Sequence, residues 1–227
     1  MKIAVLGGSF NPLHIGHAML ADTVVKECGY DKIIFVPTFM PPHKIISSGI
    51  TPLQRLEMLV EFCKADGDGH FEVDSCEIDR GGISYSSDTL EYLTEKYKAV
   101  LEGKLAFIMG NEVAAEFDKW HKPERIVELA DLIIARRYPD INTLEAGIQK
   151  VHNKTRGSYK GDFAVQFELE NFKYPCTLLD KPLLPVSSTE IRQRLAEGRS
   201  FKYLVPQSVY EYIIKNNLYQ DSGNAAE

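Results

Sequence analysis

Long apolar runs are missing from this chain of 227 residues. None approaches the ~20 residues that a helix needs to cross a bilayer, so no membrane role is expected. No basic, apolar, cleavable leader opens the sequence either. Strand-like sequence starts at Lys2, and the expectation is a cytoplasmic protein. Cysteine is scarce: four residues, Cys28, Cys63, Cys76 and Cys176, with no C-x-x-C pair. That spacing argues against a disulfide scaffold and leaves reduced, structural thiols. Positive charge is short as well, with 26 Lys and Arg against 32 Asp and Glu and a formal net charge of −6. A general nucleic-acid binder usually carries the opposite balance. An anionic ligand must then meet individual lysines, arginines and helix ends. Repeats, low-complexity tracts and interdomain linkers are also absent, so one domain over 1–219 is expected, with 220–227 as a frayed tail.

What is present is the patterning of an ordinary globule, 44% hydrophobic and 26% charged. Strand-like runs fall at Ile3–Leu6, Lys32–Val36, Phe71–Ser75, Leu105–Met109, Asp131–Ala135, Phe163–Glu168 and Thr177–Leu179. Several are continuously apolar, as strands covered on both faces are. Helical patterns lie between them. Thr51-Pro52-Leu53-Gln54 reads as a cap, a first-position proline and a capping-box glutamine. Leu53, Leu56, Leu59, Val60 and Cys63 then form the expected face. Asp88 with Glu91, and Ser187 with Glu190, repeat the capping pattern, and Val209, Ile213 and Ile214 mark a last helix. Strands alternating with helices imply an α/β, Rossmann-like fold: a mainly parallel sheet with helices on both faces. Ligands bind beyond the carboxyl ends of the strands in such sheets.

The run Gly7-Gly8-Ser9-Phe10-Asn11-Pro12-Leu13-His14-Ile15-Gly16-His17 sits at such an end. It follows an apolar strand and precedes a helix whose stripe is Leu20, Ala21, Val24, Val25 and Cys28. Glycines admit a backbone close to a ligand. A helix N-terminus offers unpaired N–H groups and a positive dipole end. His14 and His17, three apart, share a face if both lie on the first turn. Together these features suit a phosphate at which negative charge accumulates. A zinc site would need further ligands, and no cysteine or carboxylate cluster lies nearby. A hydride-transfer dinucleotide fold expects G-x-G-x-x-G, which Gly7-Gly8-Ser9-Phe10 does not supply.

Other stretches carry weaker signals. Pro41-Pro42-His43-Lys44 is a stiff loop that presents Lys44, as a phosphate contact or as a solvated surface charge. Ile83 to Leu90 opens a helix whose N–H groups suit a carboxylate or simple capping. Gly110-Asn111-Glu112 leaves a strand for a helix. Trp120, the only tryptophan, suits ring stacking or ordinary packing. Ser187-Ser188-Thr189-Glu190-Ile191-Arg192 combines hydroxyls, a helix start and a guanidinium, which suits phosphates or a plain capping box. Asp66-Gly67-Asp68-Gly69-His70 fails as a calcium loop, since Phe71 stands where glycine is needed.

His14-Ile15-Gly16-His17 resembles the H-x-G-H signature of the nucleotidyltransferase superfamily. The ordered set of stretches at 7–17, 41–44, 84–90, 107–112, Trp120, 133–137, 187–192 and 203–213 is similar to the bacterial nicotinate-nucleotide adenylyltransferase family. That resemblance implies adenylyl transfer from ATP to nicotinate mononucleotide, with Mg²⁺ brought by ATP. It implies catalytic roles for His14 and His17. It implies ATP contacts at Gly7, Gly8, Ser9, Phe10, Gly110, Glu112, Ser187, Ser188 and Arg192. It places the pyridine nucleotide against Lys44, Tyr85, Ser86, Trp120 and Arg136. Two positions depart from the family pattern: Asn11 stands where Asp is usual, and Gly110-Asn111-Glu112 where G-A-D is usual. Enzymes acting on nicotinamide mononucleotide or phosphopantetheine, class I aminoacyl-tRNA synthetases and a non-catalytic regulator on the same fold are the rival readings. The synthetases carry a K-M-S-K-S-like loop and an anticodon domain, neither of which is evident here.

Overall fold

The computed structural model describes residues 1–42, 49–135, 172–179 and 184–220. The expected strand Phe163–Glu168, and Lys44 and Arg136, lie outside them. Six strands form one sheet: β1 (Ile3–Gly8), β2 (Lys32–Pro37), β3 (Phe71–Val73), β4 (Leu105–Gly110), β5 (Ala130–Ala135) and β6 (Cys176–Leu179). The order is β3-β2-β1-β4-β5-β6, and every pairing is parallel. Between them run α1 (Ile15–Cys28), α2 (Pro52–Asp66), α3 (Cys76–Arg80), α4 (Ser86–Tyr97), α5 (Asn111–Ala114) and α6 (Pro123–Leu129); α7 (Ser188–Ala196) and α8 (Gln207–Lys215) follow β6.

Alternation along the central strands divides the core in two. Ala4, Leu6, Ile33, Phe35, Ala106 and Ile108 face one side and meet residues of α1, α2, α7 and α8. Ile3, Val5, Ile34, Val36, Leu105, Phe107 and Met109 face the other and meet α3, α4 and α6. Period-two side-chain alternation on strands buried on both faces gives this arrangement directly. The fold is Rossmann-like, as expected. Sheet order reverses between β1 and β4, and such a switch point opens a crevice at the carboxyl ends of those strands.

Some expectations need correction. The strand at Phe71 ends at Val73, not Ser75, because Asp74 turns to accept the Cys76 N–H at 2.9 Å and starts α3. Helix α4 starts two residues before Asp88: Tyr85 is its cap and makes no side-chain capping bond, so Asp88 lies inside the first turn. The α2 capping box forms as read, with the Gln54 N–H donating to Thr51 Oγ1 at 3.1 Å. Its core face forms only in part: Leu59 is buried as read and Cys63 packs against the core, but the other buried residues are Arg55, Met58 and Phe62, while Leu53 is exposed. Ile214 is exposed as well, leaving Val209 and Ile213 as the buried face of α8.

Candidate active site

A cleft of about 940 Å³ opens at the switch point, floored by the ends of β1 and β4. The structure brings Gly7, Gly8, Ser9, His14, His17, Tyr85, Ser86, Gly110, Glu112 and Trp120 to its wall. Phe10, Ser187, Ser188 and Arg192 do not line it.

His14 is the cap of α1, not a first-turn residue, and its extended backbone (φ −134°, ψ 169°) lets its carbonyl accept the His17 and Ala18 N–H groups. The His14 N–H donates to His17 Nδ1 at 3.3 Å. A main-chain N–H can only donate, so this nitrogen is the acceptor, and in the neutral ring the proton sits on Nε2. The two imidazoles stack with centroids 3.7 Å apart and planes 30° from parallel. His14 is buried at 2% exposure. Gly16 explains the fixed spacing: a Cβ there would lie 3.0 Å from His14 Nδ1 and 3.2 Å from Val186 Cγ1. No acidic side chain occupies the first turn of α1, so the helix's own residues do not compensate its positive end.

The loop between β1 and α1 is held from behind. Phe10 adopts a left-handed backbone (φ 44°) and buries its ring at 2% exposure against Phe35. A Cβ on Gly8 would stand 3.3 Å from that ring, so glycine lets the loop close over it. The Asn11–Pro12 bond is cis. Ser188 Oγ donates to the Pro12 carbonyl at 2.9 Å, and Arg192 Nη1 to the Asn11 carbonyl at 2.7 Å. Ser187 caps α7 by accepting the Glu190 N–H at 3.1 Å. The hydroxyl-rich helix start therefore braces the glycine loop here.

The opposite wall carries Tyr85, Ser86, Trp120 and His121. Tyr85 and His121 lie ring on ring, with centroids 4.3 Å apart. Trp120 packs edge-on to Phe107 at 6.1 Å and against Phe117 at 5.4 Å. Its ring is thus fixed by the core while bordering the cleft. Beneath this wall the buried Glu77 accepts a 2.7 Å bond from Thr89 Oγ1. Burial raises its pKa, and hydrogen bonds from Thr89, Ser84 and Thr38 with the charge of Arg80 oppose the rise. Sequence reasoning missed Glu77, Arg55 and Tyr219. Tyr219 donates to Asn11 Oδ1 at 2.8 Å, and burial raises its pKa. A charged residue inside the apolar stripe of α2 was the available signal for Arg55.

No helix among the described residues is long and apolar enough to cross a membrane. Residues 5–194 match the family described as cytidylyltransferase-like. The chain is 38% identical over 220 residues to a probable nicotinate-nucleotide adenylyltransferase of Treponema pallidum, covering 97% of this chain and all of that one. It is 36% identical to the protein of the same name from Borrelia garinii, over 100% of this chain and 99% of the relative. Among solved structures, the Plasmodium falciparum nicotinic acid mononucleotide adenylyltransferase complexed with NaAD superposes with a TM-score of 0.67 at 20% identity, over 96% and 97% of the two chains. At that identity the likeness speaks for the fold.

Proposed function

Because this chain belongs to the family of nicotinate-nucleotide adenylyltransferases, we propose that it transfers the adenylyl group of ATP to nicotinate mononucleotide, giving nicotinic acid adenine dinucleotide and pyrophosphate as a step of NAD biosynthesis. The observation that carries the reading is the stacked His14–His17 pair at the N-terminus of α1, facing a cleft whose far wall is aromatic. A 5′-phosphate oxygen of the acceptor attacks the α-phosphorus of ATP in line. One P–O bond forms, the bond to the bridging α–β oxygen breaks, and pyrophosphate leaves with that electron pair. No protein nucleophile is needed, so positioning and charge stabilisation do the catalysis. His14 and His17 stabilise charge on the α-phosphoryl group, with His17 Nε2–H as a donor. Gly7, Gly8 and the N–H groups of Ser9 and Phe10 hold phosphate, Phe10 through its main chain alone, since its ring is buried behind the loop. Gly110 and Glu112 face the nucleotide from β4. Ser187, Ser188 and Arg192 serve the β and γ phosphates; Arg192 would first exchange its hold on Asn11 for a phosphate oxygen.

Trp120 faces the nicotinate ring. Tyr85 and Ser86 offer the ring carboxylate the first-turn N–H groups of α4, which no capping side chain takes. Lys44 and Arg136 serve the acceptor's phosphate side. Magnesium supplies charge neutralisation on the triphosphate. Glu112 and Glu116 stand on the cleft wall, where they would face the water ligands of an ion carried on the nucleotide. The acidic balance supports nucleotide partners over nucleic acid, and the same reading places the protein in the cytoplasm as a single domain over 1–219.

Pyrophosphate release, measured with nicotinate and nicotinamide mononucleotides in parallel, tests the proposal. Turnover with the acid alone is expected. Equal turnover with both refutes the carboxylate pocket, and silence with both refutes the activity. His17→Ala should lower kcat by about 10²–10³, the cost of removing one positioned donor; near wild-type turnover would remove His17 from the mechanism.

A further inference from the structure

Arg55 is the largest fully buried side chain among the described residues, at 1% exposure. It stands on the core face of α2 beside Met58, Leu59 and Phe62. Burying a cation costs several kcal/mol, and an apolar residue of the same length would fill this space without that cost. Local packing therefore does not account for the residue. Such conflicts between local rule and actual residue concentrate at functional sites. No carboxylate ion-pairs with Arg55 among the described residues, and its Nε has no hydrogen-bond partner there. Burial lowers its pKa, while the Tyr219 hydroxyl and Glu77 oppose the shift. A guanidinium stays protonated in a protein, so the charge is permanent.

Among the described residues, the one hydrogen bond that the Arg55 side chain makes is from Nη1 to the Ser9 carbonyl, at 2.8 Å. Ser9 lines the cleft and Arg55 does not. The Ser9–Phe10 peptide is trans, and in a trans peptide the carbonyl and the following N–H point opposite ways. Fixing the Ser9 carbonyl toward Arg55 therefore fixes the Phe10 N–H away from it. Phe10 needs such a hold, because a left-handed backbone is unfavourable for a residue with a bulky side chain.

We propose that Arg55 is a positioning residue for the phosphate grip of the cleft: from behind the loop it aims the Phe10 N–H and places a fixed positive charge one peptide layer beneath the nucleotide phosphates. This rests on the adenylyltransferase reading and extends it. It accounts for a buried cation that no carboxylate among the described residues ion-pairs: beyond the more distant charge of Glu77, the counter-charge arrives with the ligand. The guanidinium itself touches no substrate.

The test compares wild type, Arg55→Met and Arg55→Lys. Mg²⁺–ATP affinity is read by calorimetry, the KM for nicotinate mononucleotide by turnover, and folding by thermal melting. Methionine keeps the length and suits the surrounding core, so Arg55→Met should remain folded. Its ATP dissociation constant should rise by about tenfold to a hundredfold, as for a lost charge-assisted bond, with the KM for the other nucleotide within about twofold. Lysine keeps the charge without the fork and should fall between the two. A purely structural staple would lower the melting temperature of both variants and leave the ATP affinity of the folded protein unchanged, which overturns the proposal. Should Arg55→Met not fold, wild-type ATP affinity in Arg55→Lys overturns it equally. Wild-type protein that fails to bind ATP would sink the adenylyltransferase reading, and this inference with it. Wild type that binds ATP no better than Arg55→Met sinks the inference alone.

Discussion

Gly16→Ala separates catalytic geometry from stability more sharply than removal of either histidine. The added methyl would meet His14 Nδ1 at 3.0 Å, His14 Cε1 at 3.1 Å and Val186 Cγ1 at 3.2 Å. Comfortable contact needs about 3.5 Å or more, so the His14 ring must retreat by roughly 0.5 Å. It has little room: it is 2% exposed and stacked at 3.7 Å on His17. Two effects on stability oppose each other. Alanine gains about 1 kcal/mol over glycine inside a helix, and overpacking costs about 1–3 kcal/mol. The net is small, a melting shift of no more than about 5 °C for a chain of this size. Catalysis has no such compensation. A misplacement of 1 Å costs about 10²-fold, so half that distance should cost kcat about tenfold. Steady-state pyrophosphate release, paired with calorimetric melting, reads both quantities. A kcat within about twofold of wild type, with the melting temperature unchanged, would show that the His14 position is not fixed by Gly16 and would refute the reasoning.

Two further outcomes follow from buried ionisable groups. Glu77 has its pKa raised above the ordinary 4.5, mainly by burial. Its protonated form thus adds stability that is fully present below 4.5 and is lost as the pH climbs through the raised folded value. Urea unfolding of wild type and Glu77→Gln from about pH 4 to about pH 7 should show wild type losing stability relative to the variant across that window; parallel curves would contradict the sign. Burial pushes the Cys63 thiol up to about 12 and raises Cys76 further, whereas Cys176 is exposed. An alkylating reagent at neutral pH should therefore label Cys176 first and reach Cys63 and Cys76 only on unfolding, as peptide mass mapping would read; early labelling of Cys76 would place it at the surface.

The fold was legible because its signals are local and repeated. Ile33-Ile34-Phe35-Val36 cannot hide one face from water without hiding the other, so a doubly covered parallel strand follows from four letters. Thr51 and Gln54 cap α2 as read because a capping box lies within four residues. Half of the site was legible for the same reason: the glycine turn, the two histidines and the helix start are contiguous. Register within a helix was harder. An apolar face of Leu53, Leu56, Leu59, Val60 and Cys63 scores well by period, yet the buried stripe shares only Leu59 with it and adds Arg55, Met58 and Phe62, a charge among them. Apolar period alone rejects that stripe, because it treats a buried guanidinium as an error.

The same limit governs the loop. Ser187, Ser188 and Arg192 read from sequence as a phosphate pocket or a plain capping box; neither reading shows that Ser188 and Arg192 also hold the carbonyls of Pro12 and Asn11, far away along the chain. Tyr219 reaches Asn11 Oδ1 from near the other end of the molecule. That bond gives the Asn11 departure a physical reading: a neutral amide oxygen accepts the hydrogen bond of the tyrosine hydroxyl without the desolvation cost of a buried carboxylate. The loop's conformation is thus set by four side chains from three distant segments, Arg55, Ser188, Arg192 and Tyr219. A motif read along the chain names the groups that touch the ligand. The groups that aim them are recruited by the fold, and only their three-dimensional neighbours reveal them.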